Sequence, residues 1–172
     1  MRTFIAVAVF VSTIFALPSP QIATLELTEP AIARYEALMP KFVQVASPDA
    51  RKEFWQIVGD KDATIEETQS KLQKWAAEQG GDVKKYFETM AAKIKDMITA
   101  LSEAIEHSSL PQAAKDAFKK LGEITSDDNQ TFAQQLQEIV DYMKTLPEDT
   151  RKEMRKFIGD LIKSAIEKAH NN

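Results

Sequence analysis

Two stretches of the chain gather the residue types that could bind a hard cation. They are Asp60-Lys-Asp62-Ala-Thr64-Ile-Glu66-Glu67 and Glu123-Ile-Thr-Ser-Asp127-Asp128-Asn129. Magnesium and calcium take oxygen ligands, so Asp60, Asp62, Glu66, Glu67, Asp127, Asp128 and Glu138 are the candidate metal ligands. On a calcium-loop template, Asp127, Asn129, Thr131 and Glu138 fall at positions 1, 3, 5 and 12, but Phe132 stands where the sharp turn demands glycine. In the first stretch Asp60, Asp62 and Thr64 fit, while Ile65 replaces the glycine and Lys71 replaces the bidentate glutamate. Neither is a sound EF-hand loop, so any binding is expected to be weak. Each stretch also precedes a predicted helix, where Asp and Thr side chains cap free N–H groups and the positive helix end disfavours a cation. Capping and cation binding are therefore both open readings of the same residues.

Other chemistry has less to stand on. Cysteine is absent, and His107 and His170 lie near the ends of different predicted helices, with no HExxH pattern. No nucleophile–base pair can be assembled, so the expectation is a non-enzymatic protein with no organic cofactor. Met90, Met97, Phe118 and Phe132 could line a pocket for a fatty acid, retinol or another small apolar ligand, the alternative reading; their helical spacing equally suits an ordinary core. A net charge of -4 gives no electrostatic reason to bind nucleic acid or anionic lipid. A host or matrix protein is a further possible partner.

The elements that must position these residues read as all-α. Residues 1–16 carry one charge, Arg2, followed by an apolar run ending at Ala16, the form of a cleavable signal peptide and too short to span a bilayer. Export predicts a secreted, extracellular protein and makes Asn129-Gln-Thr131 a candidate glycosylation sequon. Residues 17–45 read as a leader and first helix, that helix running from Pro30 to about Met39, and residues 46–170 as the helical domain, with one core expected.

Within the domain, Pro48 opens a helix with Phe54, Trp55, Ile57 and Val58 inward, and Gly59 is expected to end it as a left-handed cap. Thr64 and Glu67 form a capping box before a helix carrying Ile65, Leu72, Trp75 and Ala76 inward to Gly80-Gly81. Asp82 is expected to cap the longest segment, with Val83, Phe87, Met90, Ile94, Met97, Ile98, Leu101 and Ile105 at three- and four-residue steps. Three helices follow: one from Pro111 to Gly122, one bearing Phe132, Leu136, Ile139, Val140 and Met143, and a last one bearing Met154 to Ile166. The architecture predicted is a compact multi-helix domain around one long central helix. Segments 48–60, 111–123 and 147–160 share proline entry, a Lys-acid pair and a Gly-acid exit, which reads either as common helix punctuation or as duplication.

Ala50-Arg-Lys-Glu-Phe54, the capped Thr64 segment, Leu72-Gln-Lys-Trp75, Gly80-Gly81-Asp82-Val-Lys-Lys-Tyr-Phe87 and Tyr142-Met-Lys-Thr-Leu-Pro147, in this order, resemble the nematode SXP/RAL family from Ala46 to Asp160. The resemblance implies a secreted, all-helical antigen or allergen-like protein whose domain is cation-binding, with magnesium the usual suggestion. It carries no fixed ligand motif, so the acidic candidates rest on the residues alone.

Overall fold

The computed structural model describes residues 39–170, with side chains described as far as Glu167. The signal segment, most of the leader and the Pro30 helix lie outside the described residues. Among the described residues the chain forms seven helices: α1 (Lys41–Gln44), α2 (Pro48–Val58), α3 (Ile65–Gln79), α4 (Gly81–Glu106), α5 (Gln112–Thr125), α6 (Phe132–Thr145) and α7 (Glu148–His170). The fold is all-α, and the long helix is where the periodicity placed it. None of these helices is long and apolar enough to cross a membrane.

Helix α1 was not expected, because four residues carry no period. It exists because Phe42 and Val43 are buried against α4, and because the Arg51 side chain donates to the carbonyls of Ala46 and Gln44 that follow and end it. Gly59 ends α2 with a right-handed backbone, not the left-handed cap expected; a Cβ there would lie 2.8 Å from the Trp55 carbonyl oxygen. The left-handed positions are Gly80 and Gly81, which turn the chain between α3 and α4, so Gly80 and not Asp82 is the N-cap of α4. Gly122 and Gly159 sit inside α5 and α7 and stop neither helix.

Two apolar cores form where one was expected. In the first, Phe42 meets Phe54, Trp75 and Phe87 edge-on, with ring centroids 5.7, 6.1 and 5.3 Å away. Such pairs add about 0.5–1.5 kcal/mol each beyond their buried area. The buried Trp75 indole also donates to the Ala50 carbonyl at 3.0 Å. The second core joins Ala117, Phe118, Leu121 and Ile124 of α5 to Ile139 of α6 and Met154 and Ile158 of α7. Helix α4, 26 residues and about 39 Å long, gives Val83 and Phe87 to the first core, and its Leu101 and Ile105 pack against the second.

This division corrects several inward assignments. Met97, midway along α4, is 47% exposed because it lies between the cores. Trp55 is 50% exposed, since Ala50, Phe54 and Ile57 already define the inner face of α2 and Trp55 stands one residue round from it. Val58, Leu136, Ile162 and Ile166 are exposed as well.

Candidate functional site

The acidic stretches occupy the two short connections α2–α3 and α5–α6, each six residues long. The fold brings them face to face. Thr64 and Thr131 form an isolated antiparallel bridge; Ile65 N–H donates to the Gln130 carbonyl and Glu66 N–H to the Asp128 carbonyl, both at 2.9 Å. Two otherwise orphaned donors at the start of α3 are thereby satisfied by the other loop.

The two helix–loop–helix units are built alike, 67 positions apart. Thr64 accepts from Glu67 N–H while the Glu67 carboxylate accepts from Thr64 N–H, and Thr131 makes the same reciprocal box with Gln134. Each cap of this kind is worth about 1 kcal/mol. Buried positions match at the same offset: Ala50 with Ala117, Phe54 with Leu121, Thr68 with Gln135, Leu72 with Ile139. The unit that recurs in the structure is a helix–loop–helix, not the proline-to-glycine segment, whose copies at 48 and 111 are out of structural register. Periodicity could not reveal this, because the matching residues are mostly not identical.

Within the first loop, Asp60 Oδ1 accepts from the amides of Asp62 and Ala63, both at 3.3 Å, and Asp60 Oδ2 accepts from Lys71 Nζ at 2.9 Å. The Lys71 hydrogen bond, opposed by some desolvation and helped by the two amides, holds the Asp60 carboxyl below its ordinary value; the same bond raises Lys71. A depressed carboxyl stabilises the fold above the unfolded value of 3.8 and loses that contribution as pH falls through its folded value. A raised lysine contributes below 10.5 and loses the contribution as pH climbs through its folded value. The loop is therefore held by this pair between those limits. In Lys71→Gln the Asp60 carboxyl is expected to titrate closer to 3.8, read from its side-chain carbon resonance; an unchanged midpoint would show that the lysine has no hold on it.

In the second loop, Asp127 Oδ1 accepts from the Asn129 amide at 3.0 Å and from its side chain at 3.4 Å, the counterpart of the Asp60 turn. Gln130 and Gln135 both donate to the Ile124 carbonyl at the end of α5. Gln135 and Thr68 are buried behind the bridge, and the Gln135 Oε1 and Thr68 Oγ1 atoms have no protein hydrogen-bond partner. Nothing in the sequence distinguished these two from surface polar residues.

The seven candidates are thus sorted. Asp60 and Glu67 are engaged within loop 1, the Asp128 carbonyl within the bridge, and Asp62, Glu66, Asp127 and Glu138 are exposed. Among the described residues no group of three or more His, Cys, Asp or Glu side chains is poised to hold a metal. His107 caps the C-terminus of α4. Asn129 is exposed, and the Thr131 of its sequon is the α6 cap.

The four residues expected to line an apolar pocket are not gathered. Met90 lies at the edge of the first core, Phe118 belongs to the second, Met97 is exposed and Phe132 half-buried. A groove of about 590 Å³ between α4 and α5 has Ile105 and Phe118 among its lining residues, with Lys115 and Lys119 beside them.

The described residues are thus those of an all-α protein with two acidic helix–loop–helix units paired by one bridge. Residues 1–164 match the family model described as SXP/RAL-2 family protein Ani s 5-like, metal-binding domain. The chain is 32% identical over 126 residues to SXP/RAL-2 family protein Ani s 5 of Anisakis simplex, covering 72% of this chain and 83% of that protein. The chain belongs to the SXP/RAL-2 family. No solved structure matches it.

Proposed function

We propose that this protein is a secreted, non-enzymatic, antigen-type protein that binds magnesium or calcium weakly at its paired acidic loops. The observation that carries the reading is the pairing itself: one backbone bridge gathers loops bearing Asp60, Asp62, Asp127 and Asp128, and Asp60 already holds a cationic group, the Lys71 ammonium. The family model, described as a metal-binding domain, supports it. Weakness follows from geometry. Among the described residues no three acids converge, and both loops abut positive helix N-termini. Such a surface suits a magnesium ion that keeps several of its waters and touches one or two carboxylates.

Secretion rests on the apolar run before Ala16, and the non-enzymatic reading on the lack of cysteine and the separation of the two histidines. If the chain is exported, the exposed Asn129 is open to glycosylation. Titration of the full mature chain with magnesium chloride and calcium chloride, followed by calorimetry and by amide chemical shifts, is expected to show saturable changes at loop residues in the millimolar range. No heat and no shift at any of the seven acids would overturn the proposal.

A further inference from the structure

The 67-residue register does not stop at the two helix–loop–helix units. Phe87 of α4 corresponds to Met154 of α7, both buried, and Val43 of α1 corresponds to Leu110, which packs against the second core. Carried one step back along the chain, the same offset sets residues 30–38 against 97–105, in the second half of α4. That half of α4 lies beside α5. Ser102, Ile105 and Glu106 on one side, with Gln112, Lys119 and Gly122 on the other, border the groove of about 590 Å³ between the two helices. The matching residues of the first half of the chain are Tyr35, Leu38 and Met39 on one side and Val45, Lys52 and Trp55 on the other. Where the second unit lines its groove mostly with polar residues, the first therefore has apolar ones on both sides.

On the first unit the α2 side of this contact is exposed: Trp55 at 50%, Val45 at 38% and Val58 at 36%. They form one patch. Trp55 and Val58 share a face of α2, and Arg51, one turn before Trp55, donates to the carbonyls of Gln44 and Ala46 on either side of Val45. The Trp55 ring is held edge-on to Phe54, with centroids 5.0 Å apart. The chain also arrives beside this patch. Met39 packs against the first core and its carbonyl accepts from the Gln44 side-chain amide at 2.8 Å, so residues 30–38 lead in next to Val45. We propose that residues 30–38 lie along α2 as the second half of α4 lies along α5, with Tyr35 and Leu38 covering Trp55 and Val45. As a helix opened by Pro30 the segment is about 14 Å long, against about 16 Å for α2. Tyr35 and Leu38 then share one face, at the spacing of Ser102 and Ile105 in α4. The leader is a strap over a tryptophan face, and its release uncovers Trp55 and Val45 together.

The test is nuclear Overhauser contact mapping on the full mature chain, in the wild type, Leu38→Asp and Trp55→Ser, with circular dichroism to verify that each remains helical. In the wild type, contacts are expected from the Trp55 indole protons to the Leu38 methyl groups and the Tyr35 ring, unchanged on dilution. Leu38→Asp is expected to lose them and to shift the tryptophan emission to the red. Trp55→Ser is expected to speed amide hydrogen exchange at residues 31–38 by about tenfold or more while leaving α3 unchanged. Trp55 is half exposed and outside the buried core, so its replacement leaves the fold in place to report on the leader. No contact between Trp55 and residues 30–38, contacts of Trp55 to a second copy that fade on dilution, or exchange at 31–38 that is the same in Trp55→Ser as in the wild type would each overturn the inference.

Discussion

Trp75→Ala is expected to cost about 3–5 kcal/mol of folding stability, a large part of the roughly 5–15 kcal/mol that holds a domain together. Trp75 is 3% exposed and sits at the centre of the first core, with Phe42 6.1 Å and Phe54 5.5 Å from its ring. Truncation removes a large buried apolar surface, leaves a cavity among aromatic rings that cannot collapse to fill it, and strips the Ala50 carbonyl of its indole donor. Trp75→Phe separates these losses. It keeps most of the apolar area but not the N–H, and is expected to cost about 1–3 kcal/mol, the price of an unmet buried acceptor with a modest packing defect. Urea unfolding followed by circular dichroism measures both. A cost under about 1 kcal/mol for the alanine variant would mean that the aromatic cluster does not carry the first core.

Leu121→Ala is expected to cost about 2–5 kcal/mol. Leu121 is 1% exposed in α5, at the position of the second unit that corresponds to Phe54 in the first, and it lies among Phe118, Ile139 and Met154. The consequence reaches further than the local cavity. Helix α4 contributes to both cores and its hydrogen-bonded ladder runs unbroken between them, so loss of the second core is expected to bring down the first in the same transition. Tryptophan fluorescence, from Trp55 and Trp75 whose rings both pack on Phe54, reports on the first core; in Leu121→Ala its midpoint should fall together with the helical signal. Two separate midpoints would show that the cores unfold independently and that the exposed centre of α4 is a boundary between them.

Much of the helical order was legible in the chain. The Thr64 capping box, the Ile65, Leu72, Trp75 and Ala76 face of α3 and the two glycines after it all appear where local chemistry put them, because caps and periodicity depend on neighbours within a few residues. Helix α1 was not legible, because it owes its existence to Arg51 and to burial against α4 rather than to its own four residues. Gly122 misled, because a glycine inside a helix costs little enough for packing on the flanking turns to override it. Trp55 and Met97 misled for a different reason. An apolar residue at helical spacing shows which way a helix could face, but not whether another helix arrives to cover it.

The candidate site divides along the same line. Residue type and spacing alone singled out both acidic stretches, and even marked Lys71 as the odd residue at the twelfth station of the first. They also settled the helical class, since caps, glycine turns and apolar periods act over a few residues of backbone. Only the tertiary structure joined Thr64 to Thr131, put the two units in a 67-residue register, buried Thr68 and Gln135 behind the bridge and divided the interior into two cores strung on α4. Those relations depend on groups brought together from opposite halves of the chain by packing, and no local pattern of residues encodes which halves will meet.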